Sequence, residues 1–345
     1  MLRLFAKPDK QVVINDGPPL VITHKETILN GALRQGIRLP YSCKVGGCGT
    51  CKCRLVEGKV REFTDKSYLL SKQDMQNNMI LACQSAPRSN VVVEFVGWDH
   101  NIEDFDGHIA AITPLTHDIA RIEIELDRPV SFRAGQYASI EALGTDIPAR
   151  CYSFAHRCTP GGTQQVSFFV RAVESGRMSH WLLDEQHLNK PVRLTAPQGD
   201  FYLRDAAQPA IAVAGGSGLA PLMAVLEEAI ATDAQMVHQP FQLLFGVRTQ
   251  RDIYHQAHIA QLAQQWQAEF NFLPVLSAEP GNSDWQGARG FVTDYIDAAT
   301  CANASAYLCG PPPMLDAAMA SMTQAGMPAE RIFFDKFSDQ SGASF

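Results

Sequence analysis

The sequence predicts a multidomain fold in three parts: a small strand-rich front domain over residues 1–97, an antiparallel β-barrel over 104–204 and a doubly wound α/β domain over 205–345. Three observations lead there. The chain has 345 residues, which at roughly 100–200 residues per domain means two or three domains. A polar stretch, Trp98-Asp-His-Asn-Ile-Glu-Asp104, reads as a linker. The texture changes twice, from short strands around a cysteine-rich loop to alternating strands, and then to strand–helix repeats.

In the front part, Leu2–Phe5, Leu20–Thr23 and Val91–Phe95 read as strands and Thr27–Gln35 as a short helix. From Gly107 to Leu203, the runs Ala120–Glu125, Tyr137–Glu141 and Gln165–Arg171 alternate between turn residues, as antiparallel barrel strands do. From Pro209 onward strands alternate with helices. Ala210–Ala214 leads to Leu219–Thr232, Phe241–Val247 to Ile259–Phe270, and Ala306–Cys309 to Met314–Ala325. That order predicts a parallel sheet.

Composition bounds the function. Hydrophobic residues make up 46% and charged residues 19%, which suits buried cores in a globular chain. No apolar run reaches the roughly 18–20 residues of a membrane helix, and the start shows no secretory signal pattern. The expected location is therefore the cytoplasm, with no membrane insertion of its own. Nine cysteines in a reducing compartment suggest metal or redox chemistry over disulfides. Residues 1–100 carry 14 Lys/Arg and 9 Asp/Glu, a net of +5, whereas 101–345 carry 15 and 27, a net of −12. This is either an ordinary solvated surface or a basic docking face for an acidic partner. No Lys/Arg block or aromatic–basic interleaving points to nucleic acid.

The cysteine loop reads Pro40-Tyr-Ser-Cys43-Lys-Val-Gly-Gly-Cys48-Gly-Thr-Cys51-Lys-Cys53, with Cys83 in Leu81-Ala-Cys83-Gln. Its C-x4-C-x2-C spacing plus a distant fourth cysteine is that of plant-type [2Fe–2S] ferredoxins, whose fold is a β-grasp. Gly46, Gly47 and Gly49 allow the backbone to turn N–H groups toward sulfur. Structural zinc is the competing reading, but it usually shows two paired motifs. Cys43, Cys48, Cys51 and Cys83 are the expected iron ligands. Cys53 reads as a buried cysteine on the strand leaving the loop. Cys151, Cys158 and Cys301 match no ligand spacing, and His255 and His258 read as surface residues of a helix.

In the middle part, Arg150-Cys-Tyr152-Ser153 follows Ala134-Gly135-Gln136-Tyr137, and Val170-Arg171 and Gly176-Arg177-Met178-Ser179 come later. An arginine can clamp a pyrophosphate, a tyrosine can stack on a flavin ring and a serine hydroxyl can tune it. In this order the motifs resemble the FAD domain of the ferredoxin–NADP reductase superfamily. The resemblance implies that Arg150, Tyr152 and Ser153 contact the flavin. It implies that Val170, Arg171, Gly176, Met178 and Ser179 hold the rest of FAD.

Gly215-Gly216-Ser217-Gly218-Leu-Ala-Pro221 follows a strand and opens a helix, the context of a phosphate-binding turn. It lacks the G-x-G-x-x-G spacing but resembles the G-G-[ST]-G-[IL]-[AT]-P turn of the same superfamily. Cys309-Gly310-Pro311-Pro-Pro-Met314 resembles its C-G-P-P-x-M motif, which puts Cys309, Gly310 and Pro311 beside the nicotinamide. Arg248 ends a strand where an adenosine ribose should bind and could take a 2′-phosphate; relatives with this motif mostly use NADH, and NADH is expected. Phe337, in Phe334-Asp-Lys-Phe337, is either an aromatic on the flavin face opposite Tyr152 or part of the core.

As a whole the chain resembles the NADH-dependent reductase components of bacterial multicomponent oxygenases, such as those of ring-hydroxylating dioxygenases and xylene monooxygenase. That implies an electron-transfer oxidoreductase carrying FAD and a [2Fe–2S] cluster. Ser153 and Cys309 would stand where hydride passes from NADH to FAD. The implied partner is a non-haem iron oxygenase or hydroxylase component, or an intermediate ferredoxin, in aromatic or hydrocarbon catabolism. Reductases serving deoxysugar dehydrases share the domain order, so that partner class stays open.

Overall fold

The computed structural model describes residues 8–41, 43–47, 49–67, 69–70, 72–95, 102–204 and 206–337. The expected strand Leu2–Phe5, most of the linker and Cys48 lie outside them. The chain divides into two compact units, residues 1–102 with 338–345, and residues 103–337.

In the first unit, five strands form one sheet in the order Leu20–Ile22, Lys10–Ile14, Val91–Glu94, Lys52–Glu57, Met79–Leu81. Lys10–Ile14 runs parallel to Val91–Glu94 and antiparallel to Leu20–Ile22. The alternating Val12 and Ile14 point inward, the period-2 pattern of a half-buried strand. The helix Ile28–Arg34 starts at Thr27, whose Oγ1 accepts a hydrogen bond from the Asn30 N–H at 3.2 Å. It buries Ile28, Leu29 and Ala32. Helix and strands leave the cysteine loop at one edge, between Leu39 and the strand Lys52–Glu57.

In the second unit, six antiparallel strands follow the order Arg150–Ser153, Tyr137–Ala142, Pro191–Gln198, Glu103–Pro114, Ile119–Val130, Thr163–Arg171. The sheet curls until Phe154, just past its first strand, bridges Phe168 in its last. Phe154 is fully buried, stacks on Phe132 at 3.7 Å between centroids and meets Phe168 at 5.2 Å. The aromatic contact thus sits at the seam where the barrel closes.

A parallel six-stranded sheet follows, in the order Ala288–Arg289, Phe270–Leu276, Phe241–Val247, Ala210–Gly215, Ser305–Gly310, Ile332–Lys336. The central strands are buried throughout, as a sheet covered on both faces requires. The strand order reverses between Ala210–Gly215 and Ser305–Gly310, which makes a switch point at their C-terminal ends. The boundary expected near residue 204 falls inside one packed unit. The cluster around Leu219, Met223 and Phe245 also takes in Ile119 and Phe169 from the curled sheet and Phe201 just beyond it.

Two expectations change. The helix expected over Ile259–Phe270 runs over Gln256–Gln265, and Phe270–Leu276 is a strand paired with Phe241–Val247. Pro274 within that apolar run cannot sit in a helix interior, and its β-branched and aromatic neighbours favour the sheet. His255 is half-buried and is not part of the helix surface. It precedes the helix with φ 59° and stacks on Phe169 at 4.8 Å. Burial lowers its pKa to about 4, with the neighbouring His258 adding to the effect.

Phe154→Ala should open a cavity at the barrel seam and cost about 3–5 kcal/mol. Chemical denaturation followed by flavin release and tryptophan fluorescence would show it; a loss below about 1 kcal/mol would argue against the seam's importance.

Candidate functional site

At the cysteine loop, Cys43, Cys51 and Cys83 are all buried. Their sulfurs converge, with Cys51 Sγ 3.2 Å from Cys83 Sγ, well beyond a disulfide bond length. The Gly47 N–H donates to Cys43 Sγ at 3.2 Å, and Gln84 Nε2 lies 3.8 Å from Cys83 Sγ. Lys44, Gly46 and Gly49 have positive φ of 59°, 82° and 81°, so the loop folds back on itself. A Cβ on Gly46 would meet Gln84 Cγ at 2.8 Å. The contact with Cys51 holds the Cys83 thiol below the usual thiol range, partly offset by burial. Cys53 differs: it is fully buried on the outgoing strand, and desolvation pushes its thiol far up. Three converging thiols with N–H groups aimed at sulfur suit an iron–sulfur cluster. Cys48, expected as the remaining ligand, lies outside the described residues.

In the barrel, Arg150, Tyr152 and Ser153 share an edge strand. Arg150 donates to the Ala149 carbonyl at 3.0 Å and makes no ion pair among the described residues, so its guanidinium is available to a phosphate. Tyr152 packs half-buried on the barrel core, and burial raises its phenol well above the usual value. Val170 and Met178 are buried, with their side chains in the barrel core. Ser179 Oγ donates to the Gly176 carbonyl at 3.0 Å and accepts from the Val173 N–H at 3.1 Å. Its hydroxyl therefore ties the turn at Gly176, which precedes the short helix Arg177–Leu183. Arg171 points elsewhere. Its Nε lies 3.0 Å from Asp118 Oδ2, and its Nη1 is 3.8 Å from where a Gly216 Cβ would stand.

At the switch point, two loops meet backbone to backbone. A Cβ on Gly218 would lie 2.2 Å from the Cys309 carbonyl oxygen, and one on Gly310 would lie 3.0 Å from Gly215 Cα. A Cβ on Gly215 would strike Pro311 and Met314. Gly216 has φ 53°, and its carbonyl accepts from the Tyr254 hydroxyl at 2.9 Å. Gly215 to Gly218, Ser217 among them, form one tight turn into the helix Leu219–Ala231. A groove opens there, lined by Gly215, Gly216, Gly246, Arg248, Pro311 and Met314 among others. A glycine-lined turn leading into a 13-residue helix suits a pyrophosphate.

Ser153, Cys309 and Asp335 come together from three strands. Ser153 Oγ lies 3.4 Å from Asp335 Oδ2. Asp335 is the register partner of Cys309, and its backbone N–H faces the Cys309 thiol. Burial pushes Asp335 up to about 7, with the Asp200 carboxylate acting in the same direction. Burial, with Asp335 adding to it, pushes the Cys309 thiol well above the usual range. The Phe337 N–H donates to the Gly310 carbonyl at 2.9 Å, which ties the end of the last strand to the same loop. Asp335 was not among the residues expected from sequence; its only signal was its place between Phe334 and Phe337.

Known proteins share this domain order. Residues 15–88 match the 2Fe-2S iron-sulfur cluster binding domain, 106–202 the oxidoreductase FAD-binding domain and 212–320 the oxidoreductase NAD-binding domain. The xylene/toluene monooxygenase electron transfer component of Pseudomonas putida is 37% identical over 340 residues, covering 97% of this chain and 95% of its own. This chain belongs to the ferredoxin–FAD–NAD electron-transfer reductases. The reductase component of phenol 2-monooxygenase from a Pseudomonas species is 33% identical to this reductase, over 93% of this chain and 92% of the other. Among solved structures, an Amycolatopsis cytochrome P450 reductase superposes with TM-score 0.75 at 30% identity, over 96% of this reductase and all of that chain. The reductase is an oxidoreductase whose cofactors are a [2Fe–2S] cluster, FAD and NAD. No helix among its described residues is long and apolar enough to cross a membrane.

The raised pKa of Asp335 has a sign for stability. The folded protein holds that proton more tightly than the unfolded chain, so the contribution is complete below the ordinary carboxyl pKa of about 3.9. It is lost as pH rises toward 7. In melting temperatures measured from pH 4 to 8, wild type should lose stability relative to Asp335→Asn as pH rises. Parallel curves would show that Asp335 titrates normally.

Proposed function

We propose that this reductase takes electrons from NADH and delivers them through FAD and the [2Fe–2S] cluster to the oxygenase or hydroxylase component of a bacterial multicomponent system acting on aromatic or hydrocarbon substrates. The observation that carries this reading is the meeting of Ser153, Cys309 and Asp335 at the open end of the parallel sheet, where the barrel's edge strand reaches the last strand beside Cys309. When bound, the flavin supplies the exchange between a two-electron hydride donor and a one-electron iron centre.

The chain's own residues do the positioning. Arg150 would offer a guanidinium to the flavin's phosphates, and Tyr152 a ring to stack on its tricycle. The glycine turn at Gly215–Gly218 seats the dinucleotide's pyrophosphate at a helix start. Ser153 Oγ can pass a proton to or from Asp335 Oδ2, whose pKa near 7 lets it do either at neutral pH. Cys309, held neutral, gives the nicotinamide a compact wall with no competing charge.

Electrons leave at the cysteine loop. Exposed Val45 and Phe63 stand beside Lys44 and Arg61 there, linked through Gln84, which holds the Lys44 carbonyl and the Phe63 N–H. This apolar and basic surface suits an acidic partner, either a non-haem iron oxygenase component or an intermediate ferredoxin.

In an anaerobic NADH titration, wild type should bleach its flavin band and then its iron–sulfur band. Cys83→Ser should keep flavin bleaching by NADH and lose nearly all cytochrome c reduction. Cytochrome c reduction at the wild-type rate would show that electrons do not leave through the cluster.

A further inference from the structure

One wall of the nucleotide groove comes from the curled sheet, at the turn between the strands Glu103–Pro114 and Ile119–Val130. Thr116 fixes that turn. Its Oγ1 accepts the N–H groups of Asp118 and Ile119 at 3.2 and 3.0 Å and donates to Asp118 Oδ1 at 3.0 Å. The other carboxylate oxygen, Asp118 Oδ2, faces the groove. It receives Arg171 Nε at 3.0 Å and Arg248 Nη2 at 3.2 Å. Arg248 Nη2 also lies 3.7 Å from Asp252 Oδ1. His117 completes the cluster, with Nδ1 3.5 Å from Asp252 Oδ1. His117, Asp118 and Asp252 lie close enough to share a cation. The two guanidiniums already on Asp118 Oδ2 argue against one.

Arg248 follows the strand Phe241–Val247, one place out from the central strand. In a doubly wound sheet that position meets the adenosine ribose. An acidic group there accepts the ribose 2′-hydroxyl, and an arginine there accommodates a 2′-phosphate. Here both are present, and the acid holds the arginine. Discrimination between close ligands often rests on a built-in repulsion as much as on attraction.

We propose that Asp118, reaching across from the flavin half, sets the nucleotide preference of the groove: it holds Arg248 away from a ribose 2′-phosphate and places carboxylate charge where that phosphate would lie. A ribose with a free 2′-hydroxyl meets no such conflict. Asp118 is thus a specificity residue that acts through Arg248, supplied by a different sheet from the one that carries the nucleotide. The inference rests on the reading of this groove as the NADH site.

The test uses the FAD-loaded full-length protein and calorimetric binding of 2′,5′-ADP and 5′-ADP, each in competition with NADH. Asp118→Asn keeps the side chain's shape and removes its charge. It should raise the affinity for 2′,5′-ADP relative to 5′-ADP about tenfold, the scale of one charge-assisted hydrogen bond. The ratio of kcat/KM for NADPH over NADH should rise with it. Adding Arg248→Ala should cancel the gain. Arg248→Ala alone should lower the affinity ratio less than about threefold, because Asp118 already occupies the guanidinium. A merely structural Asp118 would move both nucleotides together, and an unchanged ratio in Asp118→Asn would overturn the proposal. A large loss of 2′,5′-ADP affinity in Arg248→Ala alone would also overturn it. If neither nucleotide competes with NADH on wild type, the groove is not the NADH site, and the proposal falls with that reading.

Discussion

The second unit depends on one constraint: two loops must touch backbone to backbone at the ends of neighbouring parallel strands. Gly218 lies so close to the Cys309 carbonyl that a Cβ would stand 2.2 Å from its oxygen. Real carbon–oxygen contacts are never that short, so any side chain there would push the loops apart. Gly215 and Gly310 meet the same limit from the other side. The contact brings the first turn and the Cys309 loop together at the switch point, and it leaves the groove beside them open to a ligand. Without it the helix start at Leu219 and the Cys309 thiol would not flank one space.

The shared core then fixes how the curled sheet meets this groove. Ile119 opens one barrel strand and Phe169 lies within another, yet they pack with Leu219 and Met223 of the nucleotide half. Asp118 directly precedes Ile119, and Arg171 lies two residues beyond Phe169. Burying the two apolar anchors therefore carries the two charged neighbours to the groove wall. Ser153 is held by its register with Tyr137 on the adjoining strand. Hydrophobic burial sets the position, and the polar groups follow at one or two residues' distance. The ion pairs at Asp118 are partly exposed and contribute little to stability by themselves.

Much of this was readable from local sequence because glycine, proline and cysteine spacings record backbone geometry directly. The Gly215–Gly218 turn, the Cys309–Pro311 loop and the cysteine loop each declare themselves within a few residues. What escaped was set by contacts between distant segments. Asp335 is an ordinary acid in the chain, and only its pairing beside Cys309 and its approach to Ser153 make it unusual. Asp118 lies 130 residues from Arg248 and in another sheet. His255 has a sequence suited to a helix surface, but the ring of Phe169 covers it. The helix end at Gln265 is hard to read from sequence because an apolar run with Phe270 and Phe272 fits a helix face or a buried strand until the neighbouring strand is known.

The cysteine loop shows how finely the backbone separates reactive from silent groups. Cys51 and Cys53 are two residues apart, and both are buried. Residues i and i+2 of a strand would share a face, so alternation alone does not distinguish them. The strand begins only at Lys52, however. Cys51 still belongs to the loop, and its sulfur turns toward Cys83 at 3.2 Å. Cys53 is already in the ladder, paired with Ile80 and facing the core. Desolvation keeps its thiol protonated. Near Cys43 and Cys83 the donors are present: the Gly47 N–H and the Gln84 amide point at sulfur. The same burial that silences Cys53 is offset at Cys83 by the contact with Cys51 and the Gln84 amide, and the loop reaches that arrangement through the positive φ of Lys44 and Gly46. The loop's glycines therefore act through the sulfurs' environment as much as through the loop's shape.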